Sequence, residues 1–236
     1  YIIRGHEARS DVFVDGLRDP GMNTRESFSV EQIEITKGPS STFAGRGSSG
    51  GAINSITKKA SLDYDFGRVD VGAGTDNYLR GTVDVNTPLT ENFATRVNIM
   101  KATEDAPKRG GAERERQGAL ISGLYDNLTD LKVWADFYYL KAEDVPDLGS
   151  TAVNDVIIED IPVYAQNGDF LTSEATSGTL RVEYELNDDW KIYSITRYGK
   201  TDNGYLATSA GGTTGYATEE DATNGTNGYT TFTFGT

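Results

Sequence analysis

The feature that most constrains the fold is a series of long runs, from residue 65 onward, in which apolar and polar residues alternate. In one run, for example, Leu131, Val133 and Phe137 would share one face of an extended chain. A repeat of two residues predicts β-strands that bury or cover only one face. Seven or eight such runs can be recognised, at 67–73, 79–87, 93–104, 115–126, 131–141, 179–186, 190–202 and 226–236.

The connections between these runs alternate in length. Short connections at 86–92, 126–130 and 187–189 are interleaved with longer ones at 105–114, 145–178 and 203–226. Alternation alone would also suit a soluble β domain, but short turns on one side and long loops on the other are typical of outer-membrane barrels. The predicted fold class is therefore β, as a transmembrane antiparallel β-barrel.

The alternation also predicts which way the side chains point, because a shift of one residue would invert every assignment. The side chains predicted to face lipid are Val69, Val71, Val83, Val85, Val97, Ile99, Val133 and Phe137. Those predicted to point inward are Arg68, Asp70, Arg80, Asp84 and Arg96. Aromatic residues near the strand ends could form interfacial girdles or pack across strands, and both interpretations stay open for Trp134, Tyr138, Tyr139, Trp190, Tyr193 and Tyr198.

Composition excludes several classes of site. The chain has no cysteine and a single histidine, His6, so disulfides, thiolate metal sites and multi-histidine zinc sites are excluded. The net charge of −14 is the sum of +1 on residues 1–60 and −15 on residues 61–236, which makes nucleic acid an unfavourable partner. No apolar run is long enough for a transmembrane helix. No catalytic constellation is recognisable either, and we expect no enzyme activity.

Residues 31–59 form a glycine-rich turn between two strand-like runs. Ile33 and Ile35 alternate with polar residues before the Gly38-Pro39 break, and a second apolar run follows Gly51. The glycines at 45–50 also fit the GxGxxG pattern of dinucleotide-binding sites. That pattern requires a helix at its third glycine, and the following residues are strand-like, so the nucleotide interpretation is rejected.

The stretch IEITKGPSSTFAGRGSSGGAINSITKK, at 33–59, resembles the end of the plug domain of TonB-dependent outer-membrane receptors. YIIRG at 1–5, DVFVDGLRDPG at 11–21 and DVPDLG at 144–149 are similar to siderophore receptors of that family, particularly the catecholate type. The resemblance implies that 1–60 is the C-terminal part of an α+β plug domain and that 61–236 holds the first strands of the barrel. Seven or eight strands would be a fragment of an expected total of about 22. The signal peptide, the TonB box and the remaining strands would then lie outside this chain.

The resemblance also implies a function. The expected activity is energy-coupled uptake of ferric siderophores across the outer membrane, with TonB as the partner at the periplasmic face and with lipid and lipopolysaccharide around the barrel. No cofactor is expected beyond the transported ferric siderophore. Alternatives are a TonB-dependent receptor for cobalamin or a saccharide, and a non-transporting outer-membrane barrel or adhesin.

A ferric catecholate is anionic and has aromatic faces, so arginines and aromatic side chains suit it. The predicted substrate-binding residues on the plug are Arg4, Arg9, Arg18, Met22, Asn23 and Phe43. Arg4 matches a plug arginine that contacts siderophore in some relatives, although a structural role would explain it equally well. Arg46 is expected to be structural and His6 a loop residue. Residues 219–221 are a weak calcium candidate, and no resident metal site is predicted.

Overall fold

The computed structural model describes residues 2–3, 6–7, 12–19, 24–38, 51–147, 166, 168–209 and 231–235. These residues form three β-sheets and a single turn of 3-10 helix, Ser27–Ser29. No helix among them is both long and apolar enough to cross a membrane.

Two small sheets are built from the first 57 residues. The strands are β1 (Ile2–Ile3), β2 (His6–Glu7), β3 (Val12–Val14), β4 (Leu17–Arg18), β5 (Val30–Lys37) and β6 (Gly51–Thr57). β1 pairs with β2, and the others form a mixed sheet in the order β4-β3-β6-β5, in which β3 and β6 are parallel. Asp15 and Gly16 both have positive φ angles, 53° and 79°, as a two-residue hairpin turn between β3 and β4 requires. We call this mixed sheet the plug sheet.

The third sheet is an eight-stranded antiparallel meander, the barrel sheet, in which each strand pairs with its neighbours in sequence. Its strands are β7 (Phe66–Ala73), β8 (Leu79–Pro88), β9 (Phe93–Asp105), β10 (Glu113–Asp126), β11 (Leu131–Asp144), β12 (Phe170–Asn187), β13 (Trp190–Ser209) and β14 (Thr231–Gly235). Within the described residues, β7 and β14 are its two edges. The prediction of an antiparallel sheet of seven or eight consecutive strands is confirmed.

For two of the long loops, one of the two predicted bounds is wrong. β12 begins at Phe170, so residues 170–178 are strand rather than part of a loop at 145–178. β13 likewise continues to Ser209, into the predicted loop at 203–226. The reason is that neither face is strongly apolar there. Ser173 is buried although polar, and polar residues inside the sheet erase the hydrophobic alternation that reveals a strand.

The predicted orientation of the side chains is confirmed where one face of the barrel sheet meets the plug sheet. Val71 is 74% exposed and Ile99 is 50% exposed, whereas Arg96 is only 4% exposed. We call the face that carries Arg96 the inner face. Arg68 lies directly across from Asp84 and therefore shares that face. The opposite face is the apolar one that the sequence assigned to lipid.

The girdle interpretation is wrong for three of the six aromatic residues. The indole N–H of Trp134 donates to the backbone carbonyl of Ala60, and Tyr138 stacks on Phe28 with the ring centroids 6.1 Å apart. Tyr193 is on the inner face with Arg197, four residues along the same strand. Packing against the plug therefore explains Trp134 and Tyr138, and only Tyr139, Trp190 and Tyr198 point away from it.

Among the described residues, apolar contact between the plug and the barrel sheet is limited to small clusters. The largest cluster places Phe28 against Met100, Leu120 and Leu140 of the inner face. The ring of Phe28 lies so close to Gly118 that a Cβ added there would be 2.6 Å from it. A glycine is thus needed at this point of β10 for the plug to approach. The two sheets pack together and are not separate globules.

Candidate functional site: the interface between plug and barrel

Asp15 makes the most deeply buried ionic contact between the plug sheet and the barrel sheet. Its carboxylate accepts hydrogen bonds from Arg181 of β12 at 2.6 Å and from Arg197 of β13 at 3.0 Å. It also accepts the backbone N–H of Thr57 at 2.9 Å, which fixes the hairpin turn to β6. Only 6% of the Asp15 side chain and 2% of the Arg181 side chain are exposed. Charge at the hairpin turn therefore holds the plug against two barrel strands.

A second ionic cluster lies where β6 leads into the barrel. Arg96 and Asp84 form a bidentate pair, with both N–O distances 2.9 Å. From the plug, Lys58 reaches Asp84 at 2.8 Å and Glu31 reaches Arg96 at 2.9 Å. Each of the two barrel charges thus has a partner in the plug.

The residues after β6 are fixed to the inner face by uncharged hydrogen bonds. The N–H of Ala60 donates to Ser122, and Ala60 accepts from Trp134, at 3.0 and 3.1 Å. The N–H of Ser61 donates to Asn86 at 3.0 Å, and the amide of Asn86 returns a bond to the Ser61 carbonyl. The segment that follows β6 and connects the plug to the barrel is therefore hydrogen-bonded to the inner face.

A third ionic cluster surrounds Glu26. Its carboxylate lies 3.0 Å from Arg80 and 3.4 Å from Arg116 of the inner face. Arg116 in turn contacts Asp144 at 2.9 Å, at the start of the DVPD motif. Within the described residues, the plug thus makes ionic contacts with five barrel strands, β8, β9, β10, β12 and β13.

A cavity of about 620 Å³ lies between the plug sheet and strands β10–β13. Apolar, hydroxyl, arginine and carboxylate side chains line it, among them Val14, Ser177, Arg181, Arg197, Glu26 and Asp136. It extends from the Asp15 cluster to the chain around Arg25, whose side chain pairs with Asp19. Its volume is in the range of about 300–1,000 Å³ found for small-molecule sites.

Of the predicted substrate-binding residues, the structure describes Arg18. Its side chain is exposed on β4, lines the cavity, and has its guanidinium 5.6 Å from the centre of the Phe13 ring. The other five, Arg4, Arg9, Met22, Asn23 and Phe43, lie outside the described residues, as do Arg46 and residues 219–221. The predicted binding set therefore stays a prediction.

Sequence reasoning missed the residues that dominate the interface: Asp15, Thr57, Arg181 and Arg197. A signal was present for one of them, because Arg181 occupies a polar position in an otherwise regular alternating run. An arginine on the inward face of a strand needs a counter-ion. The sequence does not show which carboxylate supplies it, since Asp15 lies 166 residues away in the chain.

Charges beyond the strand ends stabilise loops and turns. The pKa of Arg109 is raised by a bidentate pair with Asp147, which joins the loop after β9 to the loop after β11. Burial alone would raise the pKa of Asp169, but hydrogen bonds from the backbone N–H groups of Gln166 and Thr208 and from the Thr208 hydroxyl hold it below its usual range. Among the described residues, no group of three or more His, Cys, Asp or Glu could hold a metal ion.

A mixed sheet fixed to the inner face of an antiparallel meander defines a plugged outer-membrane barrel. The family model described as TonB-dependent Receptor Plug Domain matches residues 1–52. The chain belongs to the TonB-dependent receptors, of which it carries plug sequence and eight barrel strands.

Individual relatives agree with this assignment. The chain is 35% identical over 218 residues to the probable TonB-dependent siderophore receptor PiuA of Acinetobacter baumannii, covering 88% of this chain and 29% of that protein. The crystal structure of PiuA superposes with a TM-score of 0.81 at 33% identity, over 88% of this chain and 31% of that one. The closed form of the ferric-catecholate import receptor Fiu from Escherichia coli K12 gives a TM-score of 0.82 at 26% identity, with the same coverage. The chain thus spans less than a third of the length of these relatives.

Proposed function

We propose that the full-length protein takes up a ferric siderophore across the outer membrane as a TonB-dependent receptor. The observation that carries this proposal is the polar interface between the plug sheet and the barrel sheet. Three ionic clusters, around Asp15, Asp84 and Glu26, connect the two, and apolar contact is confined to small clusters. Charged and hydrogen-bonding groups can exchange their partners for water, so such a plug can be held firmly and still be moved by an energised partner.

The proposed substrate is a ferric complex of the catecholate class. PiuA is named as a probable siderophore receptor and Fiu as a ferric-catecholate import receptor, which supports this class for the present chain. The plug supplies part of the matching chemistry, since Arg18 is exposed and lines the cavity. Arginine donates to catecholate oxygens, and aromatic rings stack on catechol faces. Arg4, Arg9, Met22, Asn23 and Phe43 are the further contacts that we propose.

The remaining assignments follow from the same proposal. Residues 1–60 act as the plug and 61–236 as barrel wall, with TonB engaged at the periplasmic face and lipid and lipopolysaccharide around the outer face. Exposed apolar side chains on that outer face, such as Val69, Ile121 and Phe137, support the placement in the membrane. The protein acts as a transporter and not as an enzyme, and the ferric siderophore is its cargo and not a resident cofactor.

Equilibrium binding to the purified full-length receptor tests the substrate class. We expect saturable binding of ferric tris-catecholate and markedly weaker binding of cobalamin and maltooligosaccharides. Preference for cobalamin or for a saccharide would replace the siderophore proposal with one of those substrates. Absence of binding for all three would favour a non-transporting barrel or adhesin.

A further inference from the structure

In each of the three ionic clusters, one barrel arginine is shared between a plug carboxylate and an aspartate of the neighbouring barrel strand. The pairs within the barrel sheet are Arg96 with Asp84, Arg116 with Asp144, and Arg181 with Asp136. In each pair the aspartate lies opposite a residue two positions from the arginine, so the two are diagonal neighbours on the inner face. The barrel sheet therefore carries its own counter-ion for each of these three arginines.

Arg116 is bound more closely by the barrel than by the plug. Its Nη2 donates to Asp144 at 2.9 Å, whereas its Nε lies 3.4 Å from Glu26. The Nη1 of Arg116 and the Oδ1 of Asp144 are buried without a hydrogen-bond partner among the described residues. Neither carboxylate therefore saturates the guanidinium group, and Glu26 and Asp144 compete for it.

Two carboxylates that share one arginine also repel each other. Asp144 repels Glu26, and its side chain is only 15% exposed, so solvent screens this repulsion incompletely. Asp136 acts on Asp15 in the same way. Asp84 differs from both, because Lys58 of the plug binds it at 2.8 Å. Asp144 and Asp136 therefore oppose the docking of the plug, whereas Asp84 supports it.

We propose that Asp144 and Asp136 are positioning residues for plug movement, which limit how tightly the plug is held by competing with its carboxylates for barrel arginines. When the plug moves, Arg116 and Arg181 keep a counter-ion in the barrel wall, so the plug leaves no uncompensated charge behind and can dock again. This assigns a role to the first residue of the DVPD motif. The consequence for uptake rests on the function proposed above, whereas the effect on docking does not.

A thiol beneath the plug measures how tightly the plug is held. Met100 is 1% exposed and packs against Phe28 of the plug. In a full-length receptor with no other cysteine, the readout is the urea concentration at which Met100→Cys becomes half-labelled by maleimide. We expect Asp144→Asn to raise this midpoint by about 0.5 M, because Arg116 is then bound by Glu26 alone. In a receptor that also carries Glu26→Gln, the same substitution should give no rise.

Variants at the other aspartates test the direction of the effect. Asp136→Asn should also raise the midpoint, but not when Asp15→Asn is present. Asp84→Asn has the same diagonal geometry and loses a plug contact, so it should lower the midpoint. Asp70→Asn, in the exposed pair with Arg68, should leave it unchanged.

An aspartate that merely stabilised the fold would give the opposite sign. A midpoint that falls or stays unchanged in Asp144→Asn, or that rises equally with Glu26→Gln, would overturn the proposal and leave the uptake function intact. An unchanged or lowered midpoint in Asp136→Asn would remove that residue from it.

Uptake provides the second readout. At saturating ferric tris-catecholate, Asp144→Asn should slow uptake roughly twofold while the Kd from equilibrium dialysis stays unchanged. A weakened Kd with unchanged maximal uptake would contradict a role in plug movement. A wild-type receptor that takes up no ferric tris-catecholate would remove the proposed function, and the urea midpoints would still decide how the plug is held.

Discussion

Replacing Asp15 with asparagine tests whether charge holds the plug against the barrel sheet. The substitution retains the size of the side chain, and asparagine tolerates the positive φ of 53° at this turn. Asparagine can still accept the N–H of Thr57. Its amide hydrogens, however, would face the guanidinium hydrogens of Arg181 and Arg197. The variant therefore removes the charge with little change to the backbone.

The size of the effect follows from burial. Arg181 is 2% exposed, and Asp136 would be its sole remaining counter-ion in the Asp15 cluster. Removing one partner of a buried ion pair costs about 3–5 kcal/mol. Water reaches the partly exposed Arg197, so we expect the lower end of that range. An opening equilibrium would then shift by roughly 100- to 4,000-fold across the range, since about 1.4 kcal/mol is tenfold.

Hydrogen exchange of the full-length receptor measures this opening directly. The reporter is the amide of Ala60, which donates to the hydroxyl of Ser122 in the barrel sheet at 3.0 Å. Exchange at this amide should accelerate at least 100-fold in Asp15→Asn, and the exposed-pair variant Asp70→Asn should match the wild type. Adding Arg181→Met should restore part of the protection, because it removes the orphaned charge. Acceleration below tenfold in Asp15→Asn would refute the ionic account of the interface.

Three further predictions concern other parts of the molecule. Arg18→Ala should weaken binding of ferric tris-catecholate by about 1.5–3 kcal/mol, the range for hydrogen bonds to charged groups, as measured by equilibrium dialysis. Gly118→Ala should destabilise the receptor by about 1–3 kcal/mol in denaturant titration, because the new methyl group would overlap the Phe28 ring. Asp169→Asn should lower the melting temperature at pH 7, and the difference from the wild type should shrink as the pH falls below about 4. The folded-state pKa of Asp169 is depressed, so its stabilising effect is present above the ordinary carboxyl pKa and is lost as the pH falls through the depressed value.

Each of these three predictions has a matched control variant. Arg68→Ala removes an exposed inner-face arginine on β7 and should leave ferric tris-catecholate binding unchanged. Gly81→Ala adds a methyl group in open space and should not destabilise the receptor. Asp130→Asn removes a carboxylate whose pKa is depressed by hydrogen bonds from Asn127 and Thr129 in an exposed turn. A loss at Asp169 that persisted unchanged below pH of about 4 would contradict the assignment of its stabilising effect to the charged form.

The strands of the barrel sheet were predictable because their two faces differ chemically. Val69 and Val71 are exposed on the outer face while Arg96 meets the plug, so the period of two is visible in the sequence. The start of β12 was not predictable for the opposite reason. Ser173 is buried and Ser177 lines the cavity, so polar residues occupy the inner face there and neither face carries a hydrophobic signal.

The interface was harder to predict than the strands. Trp134 and Tyr138 have the composition and position of girdle residues, and only the docked plug shows that they turn inward. The partners of Arg181 are distant in sequence and are fixed by the way the plug sheet sits on the barrel sheet. The requirement for a glycine at position 118 could not be predicted either, because it depends on the approach of Phe28.

Iron uptake by living cells tests the central claim most directly. Cells that lack their own catecholate receptors would express the full-length protein, in paired strains with and without TonB, and accumulation of radioactive iron from ferric tris-catecholate would be measured. The account predicts uptake that requires both the receptor and TonB. Equal uptake in the two strains, or no uptake in either from a correctly folded receptor, would contradict it.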